Sequence, residues 1–279
     1  MKNKTLLILA LAAITFAWMS CTGSQKPKTD WDAYQLKGKV KTLTTKRYKA
    51  RAAFGEITKD ELSSTEVISF TKEGKIEHTF STYYYEDEKS EYESFYTYTD
   101  KKSIMEEYYN DDFTGKLITF YTDWGAKQSE SSYDNSGDET WMSEYTYDDK
   151  HRLIEHNFYY DKELSSRDKN YKYTDQGLLK SCKSYNYAGE LTETTYYEYD
   201  EKGREIECTV ENAEGEVSYS IVKAYNEEGY QSSHKFISSY YKNTEDYTYE
   251  YDKKGNYVVK NEMTKGGDTY INERTIVYY

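Results

Sequence analysis

The sequence predicts an all-β protein, a long antiparallel meander of tandem hairpins, and three observations carry that reading. Tyr147, Tyr173, Tyr199, Tyr225 and Tyr251 stand 26 residues apart, and Tyr121 extends the series backwards. Each is followed by Asp, Thr or Asn, and four of the five have Gly four residues on. The chain holds 35 tyrosines and a single proline, a composition that favours strands and does not interrupt them. Fixed self-similarity at this period marks a repeat architecture.

The elements follow from the copies. Tyr145-Thr-Tyr-Asp-Asp-Lys-His, Tyr171-Lys-Tyr-Thr-Asp-Gln-Gly, Tyr197-Glu-Tyr-Asp-Glu-Lys-Gly and Tyr249-Glu-Tyr-Asp-Lys-Lys-Gly end one strand and open a turn. The acidic or amide side chain supplies a local acceptor and Gly tolerates positive φ. Gly137, Gly189, Gly215 and Gly267 mark a second reversal in each unit, so a unit is two strands of about ten residues. Looser copies at Phe70, Tyr98 and Tyr121 carry the rhythm towards the N-terminus, for roughly 18 strands between Lys39 and Tyr278. No helix-period stretch is present beyond the leader.

Alternation across each strand gives one modestly apolar face, with Phe158, Val210 and Phe236, and one wet face, with Glu155, Ser181 and Glu207. Aliphatic residues are few, and tyrosine rings supply much of the apolar cover. This argues for a twisted, curled, open single sheet over a sandwich, and over a closed barrel whose lumen these residues do not fill. A membrane-spanning barrel needs an outward apolar band, which Lys180, Ser232 and Glu262 interrupt. In an open sheet the lysines of the first strand protect one edge. The last strand, Tyr270 to Tyr279, is less guarded and is expected to be covered or to accept a partner strand.

The Tyr-Asp turn with its following Gly and then Arg or Leu resembles the YD-repeat (Rhs-like) family. The match is best from Tyr145 to Tyr257, and Leu36-Lys-Gly-Lys-Val-Lys-Thr-Leu is similar to the first strand of small bacterial lipoproteins built from such repeats. In large family members, hairpins wind into a shell that encloses a toxin; for this chain the resemblance implies the strand architecture.

Met1-Lys-Asn-Lys followed by the apolar run Leu6–Trp18 reads as a signal peptide over residues 1–20. Ser20-Cys21 resembles a lipobox, so Cys21 is the expected lipidation site and residues 21–33 a tether to the membrane. Residues 34–279 form the single repeat domain. The expected address is the bacterial cell envelope, at the outer membrane. Lys26 and Lys28, where an acidic export stretch would lie, point to the periplasmic side. Loss of Lys2 and Lys4 with the leader deepens a formal net charge of −13, which argues against nucleic acid as a partner.

The chemistry-bearing residues fall into the repeat. Cys182 and Cys208 occupy equivalent places one strand apart, about 9.6 Å by strand spacing, whereas a disulfide needs Cα atoms within about 7 Å. Free thiols are expected. His156, Cys182, Cys208 and His234 form a column that invites a zinc reading, but a ladder spread over about 29 Å cannot give four ligands to one ion. No cofactor is called for. No nucleophile elbow, His-Glu-x-x-His or phosphate loop is present. Trp124, in a repeat turn, and Trp141 are candidates for a binding surface, with Tyr270 and Tyr278 on the last strand. The function expected is non-enzymatic: a lipid-anchored envelope protein presenting a β-surface to a protein or glycan. The alternatives are a carboxylate-dependent glycan hydrolase and a purely structural envelope component.

Overall fold

The computed structural model describes residues 29–53, 56–86 and 88–279. The leader, Cys21 and most of the tether lie outside the described residues. A four-residue helix, α1 (Asp30–Ala33), precedes eighteen strands. They are β1 (Val40–Ala53), β2 (Glu56–Phe70), β3 (Ile76–Tyr85), β4 (Glu88–Tyr98), β5 (Lys102–Tyr109) and β6 (Asp112–Tyr121). Next come β7 (Lys127–Asp134), β8 (Glu139–Tyr147), β9 (Leu153–Tyr160), β10 (Glu163–Tyr173), β11 (Leu179–Asn186) and β12 (Leu191–Tyr199). The last are β13 (Glu205–Asn212), β14 (Val217–Tyr225), β15 (Gln231–Ser238), β16 (Lys242–Tyr251), β17 (Tyr257–Thr264) and β18 (Thr269–Tyr278).

Each strand pairs antiparallel with its sequence neighbours, and β1 also pairs antiparallel with β18, from Val40 opposite Tyr278 to Ala50 opposite Thr269. The meander therefore closes into an 18-stranded barrel. This corrects the expectation of an open sheet, and the reason lies in β1. Its basic side chains do not guard an edge. Arg47 forms an ion pair with Glu262 of β17, Lys46 lies opposite Glu273 of β18, and Lys59 of β2 bonds Glu273 at 2.6 Å. Charge complementarity and ladder hydrogen bonds thus remove both edges. No hydrophobic filling is required, because a barrel of this strand number can hold an aqueous interior. The last strand has no open edge, and Tyr270 and Tyr278 sit in a fully paired strand.

The turns explain the repeat. At Asp148, Asp200 and Asp252 the backbone N–H donates to the carbonyl four residues on, at 2.8–2.9 Å. Oδ1 of each Asp accepts N–H bonds from the residues two and four further along. The fourth residue of the turn has positive φ: +74° at Gly203, and +62° at His151, which takes glycine's place. In the distal turn of the final hairpin, Gly266 rather than Gly267 carries the positive φ.

The anchor tyrosines then lock one repeat to the next. The hydroxyls of Tyr147, Tyr173, Tyr199 and Tyr225 donate to the carbonyls of Lys127, Leu153, Leu179 and Glu205, each 20 residues back, at 2.5–2.7 Å. The residue that follows the turn covers the next anchor ring. Arg152 lies over Tyr173, Arg204 over Tyr225, and Tyr230 stacks on Tyr251. Asn256 instead donates to the Tyr278 hydroxyl at 2.8 Å. This is why Arg or an apolar residue follows the turn glycine.

The apolar core is small and local. Leu36, Val40, Leu43, Ile68 and Phe70 are buried, with Trp31, Tyr34, Ile76, Ile276 and Tyr278 packed against them. The α1 segment, which the sequence does not announce because four residues show no period, closes part of the barrel end that carries the Tyr-Asp turns. Trp31 Nε1 donates to the Val40 carbonyl at 2.9 Å, Ile76 N to Asp30 Oδ2 at 2.6 Å, and Lys37 N to Asn256 Oδ1 at 2.6 Å. Burial pushes the Asp30 carboxyl above its ordinary range.

Candidate functional site: the barrel lumen and its mouth

Leu43, Ile68 and Ile276 lie opposite one another on β1, β2 and β18, on the face against which the α1 segment packs. Strand registers extend this inward face to the anchor tyrosines on every even-numbered strand from β4 to β18. The outward face carries charge at mid-strand, among it Glu93, Glu106, Lys116, Lys183 and Lys235. Among the described residues these charges are interleaved with exposed apolar side chains, among them Phe95, Phe120 and Val277.

The lumen has three levels. At the α1 end stands the ring of anchor aromatics. The middle is ionic and polar: Glu262 is held by Arg47 at 2.7 Å and Lys260 at 2.9 Å, and Lys223 pairs with Glu205 at 2.6 Å. Glu130, almost fully buried, accepts from Thr119 at 2.9 Å and Lys127 at 2.6 Å. The mouth at the other end, which no described element crosses, is aromatic. Tyr83, Tyr92 and Tyr109 pack in sequence from β3 to β5, with centroids 5.6 and 5.0 Å apart. Trp141 faces Phe158 at 6.0 Å, and Tyr219 stacks on Phe236 at 5.4 Å. Tyr92 and Tyr109 remain 37% and 38% exposed and Tyr160 61%, so these rings offer faces to solvent.

The sequence-predicted residues divide among these levels. Trp141 is in the mouth. Trp124 is not: it stacks on His151 at 4.2 Å with its edge towards Tyr147, covering the turn in which His replaces Gly. Tyr270 lies under the Arg47 guanidinium at 3.9 Å. Tyr278 donates to Asp252 at 2.8 Å and sits beneath Lys254, within the α1-end packing. Tyr278 thus belongs to the α1-end packing, while Tyr270 shares the lumenal face of β18 with Asn272 and Arg274.

His156, Cys182, Cys208 and His234 lie on β9, β11, β13 and β15, with a strand between each pair. Cys182 is opposite Thr195 and Cys208 opposite Tyr197, both of β12. Both thiols are free. Burial pushes Cys182 up to about 12 and Cys208 up to about 11, so both hold their protons at neutral pH. Burial pushes His234 down, against the opposing pull of Glu245. Among the described residues no three His, Cys, Asp or Glu side chains converge as a metal site.

One constellation escapes the 26-residue columns. His156 Nε2 lies 3.2 Å from Ser143 Oγ, His156 Nδ1 lies 3.1 Å from Asp168 Oδ2, and Ser184 donates to Asp168 Oδ1 at 2.6 Å. The connectivity is that of a Ser-His-Asp relay. Ser143 is fully buried, however, and Tyr145 stacks on the imidazole at 4.8 Å. A nucleophile needs an open approach, so here the chain ties β8, β9, β10 and β11 together. Only the register, which sets Asp168 opposite His156, reveals it.

Comparison with protein-family models gave no match, and comparison with curated proteins gave none. Among solved structures, the chain is similar to a porin-like protein from Bacteroides uniformis ATCC 8492, at 11% identity and a TM-score of 0.47, over 85% of this chain and 96% of that one. It is similar to a porin-like protein from Bacteroides vulgatus ATCC 8482 at 9% identity and a TM-score of 0.31, over 87% and 99%. A third likeness is to the Photorhabdus luminescens Tc holotoxin pore, at 12% identity and a TM-score of 0.23, where the chain spans 15% of the longer protein.

Proposed function

We propose that this chain is a non-catalytic YD-repeat barrel of the bacterial cell envelope, lipid-anchored through Cys21, that receives a glycan in its aromatic mouth. The carrying observation is the set of partly exposed rings on the inner face of the open end, Tyr92 and Tyr109 on one side and Trp141 with Phe158 on another. Flat aromatic faces with hydroxyls at their edges combine apolar stacking with hydrogen bonding, which suits a sugar ring. The Ser20-Cys21 sequence supports the anchor, and the Lys26 and Lys28 flank supports a periplasmic orientation. The buried Ser143 supports the non-catalytic reading.

A glycan array probed with the full chain tests this. Reproducible capture of one glycan class is expected, and Trp141→Ala or the pair Tyr92→Ala, Tyr109→Ala weakens it about tenfold, the effect of losing about 1.4 kcal/mol of stacking. Capture unchanged by all three substitutions contradicts a mouth site. Glycan cleavage that depends on Asp168 or Glu130 contradicts the non-catalytic role.

A further inference from the structure

Two donors on the lumenal face of β18 have no partner. Asn272 is only 7% exposed, and its Nδ2 makes no hydrogen bond among the described residues; neither does Nε of Arg274, two positions along the same face. Arg204 Nη1 is also unpartnered, but that guanidinium already grips Asp200 through Nε at 2.7 Å and Nη2 at 2.5 Å. Arg274 differs. No carboxylate among the described residues is in salt-bridge contact with it, and its guanidinium lies on the Tyr257 ring at 3.6 Å.

The surroundings are cationic. Arg47 is directly opposite Asn272 on β1, and Lys260 is opposite it on β17. Both cations share the single carboxylate of Glu262. The nearest other acid in the ladder, Glu66, stands beyond Thr45, which faces Arg274. Burial pushes Glu66 above its ordinary range, and the charge of Arg274 across the ladder pulls it back down. Arg47, Lys260 and Arg274 thus face two carboxylates, Glu262 and Glu66, which leaves one positive charge in excess inside a chain of net charge −13. Buried polar atoms are seldom left unpaired, and an unsatisfied amide N–H beside an unbonded guanidinium Nε is a donor set that an oxyanion completes. Along a strand the two side chains are rooted roughly 7 Å apart, within reach of one carboxylate.

We propose that Asn272 and Arg274, backed by Arg47 and Lys260, form a lumenal oxyanion subsite that takes the carboxylate of an acidic sugar. The oxyanion chemistry stands on these residues alone; the choice of a sugar as its carrier rests on the glycan-binding reading of the mouth.

Calorimetric titration of the full chain with tetragalacturonate, the neutral galactotetraose, acetate and inorganic phosphate tests it. Saturable binding of tetragalacturonate is expected, at least tenfold tighter than the neutral oligomer. Asn272→Asp, which keeps the shape but replaces donors with an acceptor, is expected to weaken it tenfold or more, and Arg274→Met likewise. Far-UV circular dichroism and a cooperative melt verify that each variant is folded. Should Arg274→Met fail to fold, Asn272→Asp decides alone. Equal binding of acidic and neutral oligomers, or acidic binding untouched by Asn272→Asp, overturns the subsite while leaving the glycan role standing. Phosphate or acetate binding that is sensitive to Asn272→Asp, without sugar binding, retains the oxyanion site and overturns the sugar. No saturable binding of any of the four probes overturns both.

Discussion

Single tyrosine hydroxyls hold the repeats in register. Tyr199 donates to the Leu179 carbonyl at 2.7 Å, and removing that bond by Tyr199→Phe is expected to cost about 1 kcal/mol in urea unfolding. Tyr187, 76% exposed, is expected to tolerate the same change within about 0.5 kcal/mol. The thiols give a second test at this scale. With Cys182 up at about 12 and Cys208 at about 11, native alkylation at pH 8 should be slow and accelerate on unfolding. Intact mass without reductant should show no bridge between them. The positions of these tyrosines are legible in the sequence because the period displays them. Their acceptors are not, since a backbone carbonyl leaves no trace in residue identity. Ser143, His156 and Asp168 were hidden for a related reason: their meeting depends on the β8–β9–β10 register, not on a repeated column.

At the scale of the element, the Tyr-Asp turn sets where each hairpin reverses, and its fourth residue bears the conformational cost. Gly203 has φ +74°, and a Cβ there would meet Leu178 Cδ1 at an ordinary 3.5 Å. Gly203→Ala should therefore destabilise through the backbone alone, by roughly 1–2 kcal/mol, measurable as a lower urea midpoint with unchanged slope. These turns and the alternation between them were readable from Asp, Asn and Gly spacing. The α1 segment was not, being too short for periodicity and held by tertiary contacts of Asp30, Trp31 and Lys37. Nor was the partner of β1. Its lysines satisfy the usual description of a protected edge, and only the facing Glu262 and Glu273, more than 200 residues away in sequence, show that they are half of a seam.

The whole molecule is a closed wall that mixes charged and exposed apolar side chains on its outside, is ionic through the middle of its lumen and is aromatic at its mouth. Its stability depends on keeping buried hydroxyls and thiols protonated. Burial pushes Tyr96, Tyr145 and Tyr257 up to about 12, above the ordinary 10.0, and the two thiols rise above 9.0. The unfolded chain therefore loses these protons first. The contribution of these groups is fully present below about pH 9 and should fall progressively as pH rises towards 12, visible as a declining melting temperature across that window.

Closure is what joins these levels, since an open meander would have neither lumen nor mouth. Its most direct test is a disulfide across the seam. Thr44 of β1 is opposite Thr275 of β18, whereas at the two edges of an open 18-stranded sheet the strands would be about 80 Å apart. In a Cys182→Ser, Cys208→Ser background of the purified full chain, Thr44→Cys with Thr275→Cys should oxidise to an intramolecular bridge in the monomer, identified by peptide mass mapping. If mild oxidation yields only free thiols or links between separate chains, the barrel is not closed.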